Sequence, residues 1–309
     1  MSGSGSEAAR VLFVFLDGVG IGPEDPDRNP FLRAELPTLS RLCGGRIPTL
    51  ATMTVGSGDR LAFPLGATLD TEGTPRSGTG QTALLVGRNT ARLHGGHFGP
   101  WTPVRLRPLL ADENLLKRAR DRGHSVAFAN AYPPGFLGDR SPRLVAAPPL
   151  AAQSAGLLTR HTDALARGDA VASEIVNEGW IQHLGRTELP TVTPEEAGAN
   201  LARIAARHRL TFFAHYATDR AGHHRRMEEA VGALERVDAF LGGVVSGLGD
   251  DALLLVASDH GNLEDVTRQH TRNPVLGILA GPDADARGAG LRSITDVAGS
   301  VLEWLGGTE

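Results

Sequence analysis

The chain has 309 residues, is 41% hydrophobic and 21% charged, and carries a formal net charge of −4 at pH 7. That composition excludes global disorder. With no block of like charge, it gives no electrostatic reason to expect nucleic acid or an anionic membrane as a partner. Small molecules are the expected partners, and the length suits one large α/β domain carrying an insertion.

Lys117 is the only lysine, a skew toward arginine with no mechanism attached to it. The only cysteine, Cys43, excludes an intramolecular disulfide and fits a reducing compartment. MSGSGSEAAR (1–10) is polar and reads as a flexible tail, and the apolar run Val11 to Leu16 is far too short to span a bilayer. A cytoplasmic location is expected.

In chain order, Val11 to Leu16 predicts a fully buried strand, because a continuous apolar run bounded by a Gly-rich turn is what a sheet covered on both faces requires. GVGIGPEDPDRNP is a loop, followed by a helix around Pro37 to Cys43 and a segment at 46–70 of weak periodicity. A Gly-rich turn at 73–80 opens a helix from Thr79 or Gly80 to about Val86. Glu113 to Arg122 predicts an amphipathic helix stopped by Gly123, and Ser125 to Ala129 a strand. From Pro133 to Pro190 the pattern changes to Pro-rich turns and alanine-rich helices near 151–166 and 169–184, read as a small cap insertion. Regular alternation resumes with a helix at 194–207, a strand at 210–216, a helix at 225–247, strands at 252–257 and 275–280, and a helix at 293–305. Strands separated by helices predict an α/β fold for 11–309, a mostly parallel sheet with helices on both faces.

Seven residues have types and spacings suited to two divalent ions beside a nucleophile. They are Asp17 in VLFVFLDGVG, Thr79 in RSGTGQTALLVG, Asp219 and His223 in HYATDRAGHH, Asp259 and His260 in LLLVASDHGN, and His270 in RQHTRNPV. Aspartates placed just after predicted strands converge on one edge of an open α/β sheet, where ligands bind. Carboxylates and imidazoles hold borderline and hard divalent ions, and a two-metal site needs about six or seven such ligands. Mn or Zn suits this set, with Mg an option. In S-G-T-G-Q-T the glycines let the backbone approach an anion, and the helix directs unpaired N–H groups at it. A metal-bound hydroxyl there becomes a nucleophile. Thr79 is the candidate, with Ser77 and Thr82 as rivals.

In this order, the motifs resemble the alkaline phosphatase superfamily, and within it the branch of cofactor-independent phosphoglycerate mutase and phosphopentomutase. The resemblance covers the N-terminal strand and loop, residues 73–100 and most of 194–309. It implies that Asp17, Thr79, Asp259 and His260 hold one metal, and Asp219, His223 and His270 the other. It also implies a Ser or Thr nucleophile that forms a phosphoenzyme. The phosphopentomutase turn reads T-G-H where this chain has Thr79-Gly80-Gln81, which favours Thr79. Alignment to the secreted phosphatases selects Ser77 instead.

Phosphoglycerate mutases insert a large basic domain after the nucleophile and use a lysine near the site. Here only about 140 residues separate Thr79 from Asp219, and no lysine is near either motif. The expectation is therefore a two-metal phosphohydrolase acting on a small phosphate ester through a phosphothreonine. The alternatives are a phosphomutase, or a phosphodiesterase or phosphonate hydrolase, on the same site. Arg88, Asn89 and His97, after the nucleophile helix, and Asn130 and Tyr132, at a strand end, are candidate substrate contacts. Oligomeric state is not readable from the sequence.

Overall fold

Seven strands form one sheet in the order β2-β3-β7-β6-β1-β5-β4 in the computed structural model, which describes residues 10–138 and 144–306. The strands are β1 (Arg10–Leu16), β2 (Val55–Ser57), β3 (Arg60–Leu65), β4 (Val126–Phe128), β5 (Leu210–His215), β6 (Ala252–Ala257) and β7 (Val275–Ala280). The expected tail lies outside the described residues, except that Arg10 already belongs to β1. β1 pairs in parallel with β5 and β6, and β5 with β4; β7, β3 and β2 continue the sheet antiparallel. "Mostly parallel" is thus an approximation that describes the β6-β1-β5-β4 half.

Side chains of an extended chain alternate between faces, and β1 divides accordingly. Val11, Phe13 and Phe15 join the core on one face, Leu12, Val14 and Leu16 the core on the other. The first face is covered by the helices Ser77–Val86, Arg107–Glu113, Leu115–Asp121, Ala147–Ser154 and Asp296–Trp304. The second is covered by Pro37–Leu42, Pro194–Ala205 and Met227–Gly247. Thr193 and Glu196 close a reciprocal cap at the start of Pro194–Ala205, satisfying two helix-end donors.

The expected cap at 133–190 is only partly separate. Ala147, Ala151 and Ala152 are buried in the first core, so Ala147–Ser154 is part of the helical layer. The helices Thr162–Ala166 and Glu178–Leu184 supply a small cluster of their own, built on Leu165, Trp180 and Leu189 with Ala131. This cluster is tied to the end of β4 by the Asn130–Val171 bridge. Among the described residues no helix is long and apolar enough to cross a membrane.

Candidate metal centre and active site

Strands β6, β1 and β5 end in register, with Phe15 opposite Ala257 and Leu16 opposite His215. The segments leaving these strands therefore meet at one edge: Asp17 after β1, Asp219 and His223 in the helix Ala217–His224 after β5, and Asp259 and His260 after β6. Asp219 and His223 are one turn apart on one helix face, with His223 Nε2 3.2 Å from Asp219 Oδ2. The close approach of the β1 loop to this helix requires glycine at 18. Its φ is +68°, and a Cβ there would stand 2.6 Å from Asp219 Oδ1.

His260 sits at the junction of the carboxylates. Its Nε2 lies 3.3 Å from Asp17 Oδ1, 3.7 Å from Asp259 Oδ2 and 3.8 Å from Asp219 Oδ1. His270 completes the ring from a separate loop. Its Nδ1 donates to the Pro75 carbonyl at 2.9 Å, which leaves Nε2 as a lone pair 3.1 Å from His223 Nε2. Asp17, Asp259 and His260 form one convergent triplet of ligand atoms, and Asp219, His260 and His270 another.

The electrostatics of this arrangement call for cations. Asp17 Oδ1 and Asp259 Oδ2 are buried without a hydrogen-bond partner. Burial, then the neighbouring carboxylates Asp259 and Asp219, push the Asp17 carboxyl well above its ordinary range. Burial likewise raises Asp259, against the pull of His260. Burial alone would lower His260, but the Asp259, Asp17 and Asp219 carboxylates outweigh it and lift the imidazole to about 10. Orphaned carboxylate oxygens beside converging imidazole nitrogens are a donor set that fits divalent metal.

The hydroxyl inside this ring belongs to Ser77, whose Oγ is 2.9 Å from His260 Nε2. The helix begins at Ser77 rather than at Thr79 or Gly80. At 100° per residue, Thr79 therefore points to the far side of the first turn. Its Oγ1 donates to the Arg76 carbonyl at 3.2 Å and accepts from Phe98 N at 3.1 Å. This geometry favours Ser77 over the expected Thr79, both as nucleophile and as metal ligand. Thr82, the other rival, is tied to the Gly78 carbonyl at 2.6 Å. Gln81, one turn after Ser77 on the same face, donates to Asp17 Oδ2 at 3.0 Å.

Of the five expected substrate contacts, only Tyr132 lines the cleft beside Ser77. Arg88 pairs with Glu113 at 2.9 Å on the exterior. Asn89 caps the helix Thr90–His94 and donates to the Leu69 carbonyl. His97 bonds the Thr68 carbonyl at 3.1 Å. Asn130 spends its amide on both backbone groups of Ala214 and on Ser173 Oγ, bracing β4 against β5. These four do not line the cleft and make the structural contacts just described.

Sequence reasoning missed the residues that hold the loops. Asn262 donates to Asp219 Oδ1 at 2.7 Å. Glu264, fully buried, accepts from Gly20 N at 3.0 Å, from Asn262 N at 2.7 Å and from Asn273 Nδ2 at 3.1 Å, and also from the Thr271 hydroxyl. One carboxylate thus ties the Asp17, His260 and His270 loops together. Its position just past D-H-G-N was the available signal.

Residues 189–308 match the family described as Metalloenzyme superfamily. A 2,3-bisphosphoglycerate-independent phosphoglycerate mutase of Syntrophotalea carbinolica is 36% identical over 124 residues, which are 37% of this chain and 24% of that protein. The matched segment is thus similar to metalloenzymes of the phosphoglycerate mutase kind, and the fold is alkaline-phosphatase-like. Its fold is similar to that of the PH0037 protein from Pyrococcus horikoshii, with a TM-score of 0.59, 14% identity and 98% of each chain covered. It is also similar to alkaline phosphatase from the Antarctic bacterium TAB5, with a TM-score of 0.52, 10% identity, and 97% and 98% covered. The match to the curated mutase spans only about a quarter of that enzyme's length.

Proposed function

We propose that the chain is a metal-dependent phosphoryl-transfer enzyme that uses Ser77 as its nucleophile. The observation that carries this reading is Ser77 Oγ standing 2.9 Å from His260 Nε2, inside a ring of buried aspartates and histidines with two orphaned carboxylate oxygens. Asp17, Asp259, His260 and Ser77 would hold one divalent ion, and Asp219, His223 and His270 a second. Such ions supply Lewis-acid stabilisation of the charge on the transferring phosphoryl group and favour the ionised hydroxyl.

The protein's own contribution is placement. The helix start at Ser77 fixes the hydroxyl at the sheet edge, at the positive end of the helix dipole. Ser77 Oγ gives up its proton and forms a bond to phosphorus, while the ester P–O bond breaks and the departing oxygen takes a proton. Gln81 holds the Asp17 carboxylate in place, and Asn262 holds Asp219.

The phosphoserine then has two fates. Return to another hydroxyl of the same substrate, the phosphomutase outcome, is the better supported by the curated relative and replaces hydrolysis as the leading reading. Transfer to water is kept as a second reading because of one observation. Among the described residues lining the cleft, the only guanidinium, Arg220, is already paired with Glu174 at 2.8 Å, so a phosphoglycerate carboxylate finds no free cation there.

A panel of sugar phosphates, phosphoglycerates and simple monoesters, assayed with Mn, Zn or Mg for isomer conversion and for phosphate release, separates the two fates. Absence of both, in protein that binds metal, would refute the proposed activity. Ser77→Ala should abolish turnover, and Thr79→Ala should keep it.

A further inference from the structure

The cleft of about 600 Å³ beside Ser77 has two unlike ends. At one, Asp17, Ser77, Asp219 and His223 gather; beyond them, Trp101, Tyr132, Phe136, Val145, Pro149 and Tyr216 make the wall. A phosphoryl group fills only the polar end. The rest is sized for an organic body, since pockets of about 300–1,000 Å³ accommodate drug-sized ligands.

The aromatic wall is built in advance. Tyr132 lies between Phe128, stacked at a centroid distance of 6.0 Å, and Phe136 at 4.4 Å. The Tyr132 and Tyr216 hydroxyls are 3.4 Å apart, and Tyr216 meets Phe15 edge-on at 6.4 Å. Rings held in this way present apolar faces at little cost in side-chain entropy. The Trp101 backbone is held against the nucleophile helix, because Gly78 packs directly against the Trp101 carbonyl, where any Cβ would collide. The residue that aligns the wall thus adjoins the residue that attacks.

We infer that the substrate is a phosphate monoester whose alcohol part is an uncharged, flat, apolar body, of aromatic-ring type, seated against Trp101, Tyr132 and Phe136 with its phosphoryl group at Ser77. This rests on the second reading above, transfer of the phosphoryl group to water, and names the substrate class for it, since an apolar alcohol without a further hydroxyl has nowhere else to return the group. Burial of a ring on this wall favours such esters over short or acidic ones. The Glu174 carboxylate at Arg220 further disfavours a second anion.

The test compares 2-phenylethyl phosphate with ethyl phosphate, monoesters whose alcohols are of similar acidity, and in parallel the binding of 2-phenylethylphosphonate and ethylphosphonate by calorimetry. The expected result is a KM at least about tenfold lower for the phenyl ester, a matching difference in phosphonate affinity, and loss of both in Trp101→Ala. Phe136→Ala, at a half-buried position, is the second variant should Trp101→Ala fail to fold.

Equal KM values with equal phosphonate affinities would overturn the inference while leaving phosphoryl transfer intact. So would a 3-phosphoglycerate kcat/KM above that of the phenyl ester. If neither ester turns over but the phenyl phosphonate binds tighter and Trp101→Ala removes the difference, the apolar body stands and the transfer to water falls.

Discussion

Truncation of Glu264 to alanine tests whether one buried carboxylate holds the three ligand-bearing loops in register. The change removes the acceptor for Gly20 N, Asn262 N, the Thr271 hydroxyl and Asn273 Nδ2. Taken at about 1–1.5 kcal/mol net each, the four hydrogen bonds together come to about 4–6 kcal/mol. Asn273 is partly exposed and regains a partner from water, which leaves an expected loss of about 3–5 kcal/mol. That is a large share of the roughly 5–15 kcal/mol that holds a domain folded. Glu264→Gln keeps the shape but offers one carbonyl oxygen in place of two carboxylate oxygens and sets an NH2 group against two donors; about half the loss is expected. Urea unfolding of the metal-free protein gives the stability, and titration with Mn or Zn gives the affinity. A loss below about 1 kcal/mol in Glu264→Ala, with metal affinity unchanged, would refute the role given to Glu264.

Three further outcomes are expected. Asp17→Asn removes one of several like charges buried together, so the metal-free protein should unfold at the same or higher urea. The stabilisation gained on adding metal, about 2.7 kcal/mol at a hundred times Kd, should shrink or vanish; retention of the full gain would exclude Asp17 as a ligand. His215 is buried with its Nδ1 donating to the Ser173 carbonyl, and burial lowers its imidazole from 6.5 to about 4. The unfolded chain therefore binds the extra proton first, and up to about 3 kcal/mol of stability, present above pH 6.5, is lost as pH falls toward 4. Urea midpoints of His215→Gln should show a flatter slope over that window than those of the unaltered protein, and parallel slopes would contradict this. Burial pushes the Cys43 thiol up to about 12, so an aromatic disulfide reagent should label it only on unfolding; rapid labelling of the native protein would show the site is open.

Much of the fold is legible because its central strands are continuous apolar runs. β6 and β7 occupy the expected residues 252–257 and 275–280, and β1 differs only by Arg10. The β2-β3 hairpin was not legible. Gly56 within β2 and Gly58 in the turn both take positive φ, β3 contains Pro64, and β2 is mostly exposed, so no alternation marks the hairpin. The Ala147–Ser154 helix read as cap because its two prolines suggest a turn. They stand in its first turn, where no backbone N–H is needed, and its alanines allow close packing on the nucleophile helix.

At the site, residue type and strand-end position pointed to Asp17, Asp219, His223, Asp259 and His260, and residue type with motif spacing to His270; the structure brings the six side chains together. The choice between Ser77 and Thr79 depended on a helix start displaced by two residues, which rotates the two hydroxyls to opposite sides. Trp101 and Tyr216 escaped notice because an aromatic wall carries no spacing signature. Arg88 and Asn89 come after the nucleophile in sequence, but the chain turns away after Gly87, whose φ is +74°; His97 lies where the chain returns to the nucleophile helix, yet its ring is engaged by the Thr68 carbonyl.

The most direct measurement is to quench the metal-loaded enzyme during turnover of a substrate monoester and fragment the peptide that begins at Ser77 after cleavage at Arg76. The mass of one phosphoryl group on Ser77, absent from Ser77→Ala, is the predicted result. The same mass on Thr79 or Thr82, or turnover by Ser77→Ala at the unaltered rate, would contradict the account.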